Sequence, residues 1–286
     1  MMEFSPITFE KIEELRPLFA GAPFHTCDYS PGGLLIWKDF YKTEFCSRGE
    51  DLYLRLRGEK GELFYLFPLA KDPQAALAAM PRPLSFCAVP REALPILQEQ
   101  FPDAKITAQP EYADYYYAAE DLRSLKGKKF SAQRNHISRF KREYPQWSFS
   151  AITDENRALA CEFYRRYKEK YPPEGPEALG ESAGILEILE HPSFLGMVGG
   201  MLMVEEEPVG ISFGELQGET LHVHIEKADR AYKGVYQMLT NQFACAFGQQ
   251  ASFINREDDM GDAGLRKAKL AYHPVALLEK YLVEIQ

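Results

Sequence analysis

Residues 221–274 read LHVHIEKADRAYKGVYQMLTNQFACAFGQQASFINREDDMGDAGLRKAKLAYHP, and their pattern decides the fold class. Leu221, Val223 and Ile225 alternate with His222, His224 and Glu226, which is the period of a strand. A polar turn over 228–234 ends at Gly234, after which Val235, Leu239, Phe243 and Phe247 share one face of a helix. A short strand at 252–255 leads into Arg256, Glu257, Asp258 and Asp259 and then Gly261 and Gly264. Strand, glycine turn, helix, strand and acidic loop form an α/β unit suited to an anionic group. The first N–H groups of the helix lack intrahelical partners, its dipole favours negative charge, and a glycine lets a phosphate approach the backbone. Arg230 and Lys233 add charge to the same turn. A plain crossover in which Gly234 only eases the turn fits the local pattern equally well.

Working outward, the residues before this stretch predict a strand at 147–152, helices at 154–171 and 181–190, and a hairpin of 196–204 with 208–216. The first half of the chain has a similar order. Thr8 caps a helix over 9–19, and a loop carries His25, Cys27, Asp28, Tyr29 and the run Pro31, Gly32, Gly33. Trp37, Phe40, Tyr41 and Phe45 read as core. Strands at 52–56 and 63–67 flank Gly58 and Gly61 as a hairpin. Helices at 73–80 and 92–101 and strands at 84–87, near Ile106 and at 112–117 complete this half. The recurrence predicts two similar α/β units, residues 1–145 and 146–286. Near the join, Phe130, Gln133, Ile137, Phe140 and Tyr144 form a helical stripe, while Lys128, Lys129, Arg134, Arg139, Lys141 and Arg142 occupy the other faces. Lys128, Lys129 and Arg134 suit an anion; Lys141 and Arg142 suit a solvated helix end.

The chain has 286 residues, a net charge of −9 and a pI near 5.3, which argues against non-specific coating of nucleic acid or anionic membrane. Residues 1–15 lack a basic, then apolar, leader pattern, and the most apolar run, Phe194 to Val204, is too short to span a bilayer. A cytoplasmic protein is expected. Five scattered cysteines predict neither a disulfide framework nor a zinc site. His222 and His224 share a strand face without a third ligand at a helpful spacing, so no metal is expected.

Two blocks carry a family resemblance. Asp121-Leu122, Leu125-Lys126-Gly127-Lys128-Lys129-Phe130 and Arg134-Asn135-His136-Ile137 form the first; Phe253-Ile254-Asn255-Arg256-Glu257-Asp258 and Gly261-Asp262-Ala263-Gly264-Leu265-Arg266 form the second. Both resemble an uncharacterised bacterial family related to the C-terminal domain of lysyl-phosphatidylglycerol synthase. The resemblance covers most of the chain. It implies two tandem units of the Gcn5-related N-acetyltransferase fold, like the Fem-type peptidyltransferases, each a mixed, mostly antiparallel sheet flanked by helices (α/β, or α+β). It also implies that a central strand splays from its neighbour and that the donor, acyl-CoA or aminoacyl-tRNA, lies in the gap. The acetyltransferase turn signature, Gln/Arg-x-x-Gly-x-Gly/Ala, is met only in part: from Arg230 to Tyr236 there is one glycine, one residue later than the pattern places it.

Acyl transfer requires a cradle for the donor, hydrogen-bond donors for the developing oxyanion and a base for the acceptor. The cradle candidates are Arg230, Lys233 and Gly234 at the turn, Lys128 and Arg134 as more distant phosphate contacts, and Asn255 and Arg256 at a strand end. A backbone N–H near Ile225 or Glu226 would meet the oxyanion. Glu226, Asp229, Glu257 and Asp258 are the candidate catalytic carboxylates, with His224 an outlying base; Arg256 pairing with these carboxylates as a purely structural anchor is the competing reading. Arg266 and Lys269, beyond the acidic loop, suit either a phosphate or plain surface. These features predict an acyl- or aminoacyltransferase with no tightly bound cofactor and an unspecified acceptor (small molecule, peptide or lipid headgroup). The alternative is a binding or regulatory protein that keeps the fold without catalysis.

Overall fold

The computed structural model describes residues 2–191 and 196–286; Phe194 and its neighbour in the apolar run lie outside the described residues. The chain forms two compact units, each built from more than one segment: 1–114 with 258–261 and 277–286, and 115–257 with 262–276. The division therefore falls at Asp114 rather than at 145, and the chain returns to the first unit near its end. The basic stretch belongs wholly to the second unit because its apolar stripe packs there: Ile137 and Phe140 share a core with Val235, Met238 and Leu239.

In the first unit the strands are β1 (Ser5–Pro6), β2 (Glu44–Arg48), β3 (Asp51–Arg57), β4 (Leu63–Tyr65), β5 (Leu84–Pro90) and β6 (Lys105–Ala108), with β14 (Lys280–Ile285) from the second pass. Its helices are α1 (Phe9–Ala20), α2 (Pro31–Trp37), α3 (Pro73–Ala78) and α4 (Leu94–Gln100). Helix α1 begins where Thr8 accepts the Lys11 N–H and buries Ile12, Leu15 and Phe19, the spacing of one helical face. The β3–β4 hairpin forms as its glycine turn dictates. The run Pro31, Gly32, Gly33 is not loop: Pro31 opens α2, and both glycines are buried. The sheet order is β1-β2-β3-β4-β5-β14-β6, so β14, which periodicity did not single out, fills the place between β5 and the edge strand β6, antiparallel to both neighbours.

The second unit contains β7 (Asp114–Ala118, entered from the first), α5 (Ala119–Ser124), α6 (Ser131–Glu143), β8 (Trp147–Ala151), α7 (Arg157–Lys170) and α8 (Gly175–Glu190). It continues with β9 (Val198–Val204), β10 (Glu207–Gln217), β11 (Thr220–Ala228), α9 (Val235–Phe247), β12 (Phe253–Asn255), α10 (Ala263–Leu270) and β13 (Ala276–Leu278). Its sheet runs β13-β7-β12-β11-β10-β9-β8; β11 and β12 pair in parallel, whereas β7–β12, β10–β11, β9–β10 and β8–β9 are antiparallel. Parallel neighbours need a crossover, and α9 supplies it, burying Val235, Met238, Leu239 and Phe243 against Leu221, Val223 and Ala228. Each unit is thus a mixed, mostly antiparallel sheet flanked by helices, as expected. Among the described residues, no helix is long and apolar enough to cross a membrane.

Candidate active site at the parted strands of the second unit

The parallel contact between β11 and β12 is brief. Thr220 pairs with Phe253, Leu221 with Ile254 and His222 with Asn255. Beyond Asn255 the chain stays on β7, with the Arg256 N–H donating to the Tyr115 carbonyl at 3.0 Å and the Tyr115 N–H to the Glu257 carbonyl at 3.1 Å. β11 instead continues along β10 as far as Ala228. The two strands therefore part after His222 and Asn255, and the edge of β11 facing the gap has no strand partner among the described residues from Val223 onward.

A β-bulge shapes this edge. Phe213 pairs with Ile225 but Gly214 pairs with Val223, which leaves His224 as the extra residue. A Cβ on Gly214 would lie 2.1 Å from the His222 carbonyl oxygen, so the bulge is possible only with glycine there. Plain alternation would turn His224 and Glu226 to the same side. The bulge separates them: Glu226 reaches Thr240 on α9, and His224 reaches Glu215 on β10.

Two ionic groups span the gap. Arg256 donates to Glu226 Oε2 through Nε at 2.9 Å and Nη2 at 2.6 Å, and Thr240 donates to Glu226 Oε1 at 2.7 Å. The Arg256 and Glu226 side chains are 10% and 14% exposed. Burial works against the Arg256 charge, but Glu226 and the rings of Tyr117 and Tyr272 more than restore it, so the guanidinium stays charged. Its Nη1 is buried without an acceptor among the described residues. The second group joins the next residue, Glu257, to His224: Glu257 Oε1 lies 2.8 Å from Nδ1, and Glu215 Oε1 lies 3.0 Å from Nε2. Burial disfavours the imidazolium, yet the two carboxylates outweigh it and push the His224 pKa up to about 9.

The remaining sequence candidates scatter. Asn255 is fully buried and its Oδ1 accepts the Glu257 N–H at 2.7 Å, which orients the turn. Asp258 falls in the first unit, with Oδ2 at 3.7 Å from Lys280. Asp229 is held by Lys170 at 2.8 Å, by the Tyr171 hydroxyl and by the Ala231 N–H. Burial raises its pKa, but these donors overcome that and leave it below the ordinary aspartate value, which makes it a poor base. Arg230 lies over the Tyr171 ring, with 5.2 Å to the centroid. Gly234 has φ +86°, and a Cβ there would sit 2.4 Å from the His136 carbonyl oxygen. Its glycine is therefore required by the packing of α9 on α6, whatever the turn binds.

Arg134 donates to the Leu125 and Gly127 carbonyls, and Lys129 pairs with Asp121 at 2.8 Å, so both serve the α5–α6 connection. Lys128 and Lys233 are exposed. Helix α10 is exposed along most of its length; Lys269 turns inward to the Arg256 carbonyl at 2.6 Å. Glu215, Thr240, Tyr117 and Tyr272 were not among the sequence candidates. Only Glu215 left a signal, as a carboxylate inside the apolar strand around Phe213 and Leu216.

The first unit has its own buried charge cluster. Lys280 Nζ lies 2.7 Å from Asp28 and 2.7 Å from Asp114, with Cys27 Sγ at 3.3 Å. The ligand atoms of Cys27, Asp28 and Asp114 lie within 4.8 Å of one another, close enough for a metal ion, but the lysine ammonium already sits among them as the cation. Burial opposes the Lys280 charge, and Asp114 and Asp28 overcome it, holding its pKa well above the usual lysine value.

Comparison with known proteins places these features in context. Residues 19–284 match the family described as phosphatidylglycerol lysyltransferase, C-terminal. A conserved protein of unknown function from Bacteroides thetaiotaomicron is 32% identical and superimposes with a TM-score of 0.92, covering 100% of both chains. L-PGS from Bacillus licheniformis is 15% identical, with a TM-score of 0.65 over 96% of this chain and 91% of that one. FemX is 10% identical, with a TM-score of 0.57 over 100% and 98%. These last two share the fold. A curated relative, the uncharacterised protein MYCGA3080 of Mycoplasmoides gallisepticum, is 24% identical over 177 residues, which span 60% of this chain and 56% of that protein.

Proposed function

Because the chain belongs to the family of phosphatidylglycerol lysyltransferase C-terminal domains, we propose that it is an acyltransferase. In this reading it moves an aminoacyl or acyl group from aminoacyl-tRNA or acyl-CoA to an amine or hydroxyl acceptor. The acceptor atom attacks the carbonyl carbon and loses a proton, the carbonyl oxygen takes up negative charge, and the bond to the donor's oxygen or sulfur breaks. What the reaction asks of the protein is mainly a fixed set of N–H groups at that oxygen, shielded from water.

One observation carries the proposal: the parted strands leave a gap edged by β11 backbone and by a buried guanidinium, and among the described residues neither that backbone has a strand partner nor Nη1 an acceptor. A buried donor without a partner is rare in a folded protein and suits an oxygen that arrives with the substrate. Glu226 and Thr240 fix the other guanidinium nitrogens, so Nη1 is aimed before the donor binds. The donor's phosphates would lie outside the gap, where Lys128 and Lys233 remain exposed.

The second reading, a binding protein that has kept the fold without catalysis, has its own support. The turn residues Asp229, Arg230 and Gly234 all serve local structure.

The test is a thermal-shift series with acyl-CoAs and mixed aminoacyl-tRNAs, followed by transfer assays with the donor that binds. A donor at a hundredfold excess over its Kd should add about 2.7 kcal/mol of stability. Arg256→Lys, which retains charge but not the fork, should bind that donor and lose at least tenfold in transfer rate. Binding without transfer to any amine or hydroxyl favours the second reading. No shift with either donor class overturns the first.

A further inference from the structure

The residue after Arg256 offers something different. Glu257 leaves the strand in the left-handed region, φ +55°, where a non-glycine residue is uncommon, and Asn255 holds it there. Its side chain turns to His224, and His224 turns to Glu215. The side chains of His224 and Glu215 are 0% and 2% exposed, whereas Glu257 is 23% exposed. The trio is thus anchored in the interior and opens outward at a single carboxylate.

The geometry settles what this trio can offer. A carboxylate stands at each ring nitrogen of His224, so with both carboxylates ionised each nitrogen satisfies its partner by donating a proton. A ring with protons on both nitrogens cannot accept another. The trio therefore cannot relay a proton inward from a substrate in the manner of a neutral histidine backed by an acid. With both carboxylates ionised, one imidazolium leaves a single negative charge. Glu257 uses Oε1 for His224, and its Oε2 is bonded to nothing among the described residues. What faces outward is one fixed, charged acceptor oxygen beside the gap, carried by a rigid pair.

We propose that Glu257 Oε2 seats a protonated primary amine, with His224 and Glu215 as positioning residues that hold it in place. This deepens the acyl-transfer reading and rests on it for the amine's role. Two sources share the chemistry: the α-ammonium of an aminoacyl group being moved, and the amino group of an acceptor before it loses its proton. A reacting end that carries phosphate is disfavoured, because it would meet a like charge.

The experiment uses the full chain with 13C- and 15N-labelled histidine and follows the His224 ring resonances, identified by their loss in His224→Gln. Glycinamide stands for an aminoacyl group and n-propylamine for an acceptor; N-acetylglycinamide and 1-propanol are their uncharged counterparts. Both amines, or one of them, should shift the His224 signals saturably, and the uncharged partners should not. Tighter binding of glycinamide by tenfold or more assigns the seat to the transferred group; equal or tighter binding of propylamine assigns it to the acceptor. Glu257→Gln should abolish the response while the remaining spectrum stays folded. If that variant does not fold, Glu257→Asp, which withdraws the oxygen by one methylene, should weaken binding at least tenfold. No saturable response, an equal response to potassium chloride, or an unchanged response in the variant overturns the proposal. No donor is present, so a failure of acyl-CoA or aminoacyl-tRNA to bind would be read separately.

Discussion

Arg256, Glu226, His224, Glu215 and Glu257 show what burial does to charge. Each ion is favourable only while its partner remains. Replacing Arg256 by Met leaves Glu226 buried with only the Thr240 hydroxyl and no counter-ion, and the expected loss is about 3–5 kcal/mol of unfolding free energy. The double variant Arg256→Met with Glu226→Gln should recover most of that loss. Urea unfolding of the unaltered chain and of these two variants checks this; equal stability of the single and double variants would show that the pair is not coupled. His224 makes a pH-dependent contribution of definite sign. Its folded pKa is raised to about 9 from an ordinary 6.5. The stabilisation is therefore complete below pH 6.5 and is lost as pH rises through 9, on the order of 3 kcal/mol across that window. Unfolding free energies at pH 6, 8 and 10 should show the decline, and Glu215→Gln should flatten it. A stability that stays level between pH 6 and 10 would contradict an imidazolium at this site.

At the scale of elements, two glycines set the geometry. Gly214 permits the bulge that turns His224 away from Glu226, and Gly234 permits α9 to start hard against α6. Gly234→Ala combines a left-handed φ with a Cβ 2.4 Å from a backbone oxygen, so a cost of about 1–3 kcal/mol is expected. The urea midpoint measures it, and a loss under a few tenths of a kcal/mol would mean that α6 yields easily. Much of the element pattern was legible because it is local. Thr8 and the spacing of Ile12, Leu15 and Phe19 announce α1, and Gly58 and Gly61 announce a hairpin. The bulge was not legible. Leu221, Val223 and Ile225 alternate perfectly in sequence, and the slip at His224 exists only against β10.

At the scale of the whole molecule, the division into units depends on β14. Residues 280–285 lie between β5 and β6, and Lys280 carries the ammonium that Asp28 and Asp114 surround. A fragment of residues 1–114 lacks that strand and that cation. It should therefore fail to unfold cooperatively, leaving two strand edges uncovered and the carboxylates of Asp28 and Asp114 without their cation. Circular dichroism melts and amide dispersion of the fragment test this; a sharp two-state melt would refute it. Lys280→Met in the full chain should destabilise the first unit by about 3–5 kcal/mol for the same reason.

The sequence by itself determined the class of fold and most helices and hairpins, because periodicity, caps and glycine turns act over a few residues. It also placed Glu226, Arg256 and Glu257 at the mouth of a strand. Only the tertiary structure decided how they combine. Arg256 and Glu257 are adjacent in the chain yet join separate ionic groups, and Asp258, next again, belongs to the other unit. The physical reason is that a buried charge is fixed by partners on other elements, such as Glu215, Thr240 and Tyr272, which carry no pattern linking them until the sheet has formed.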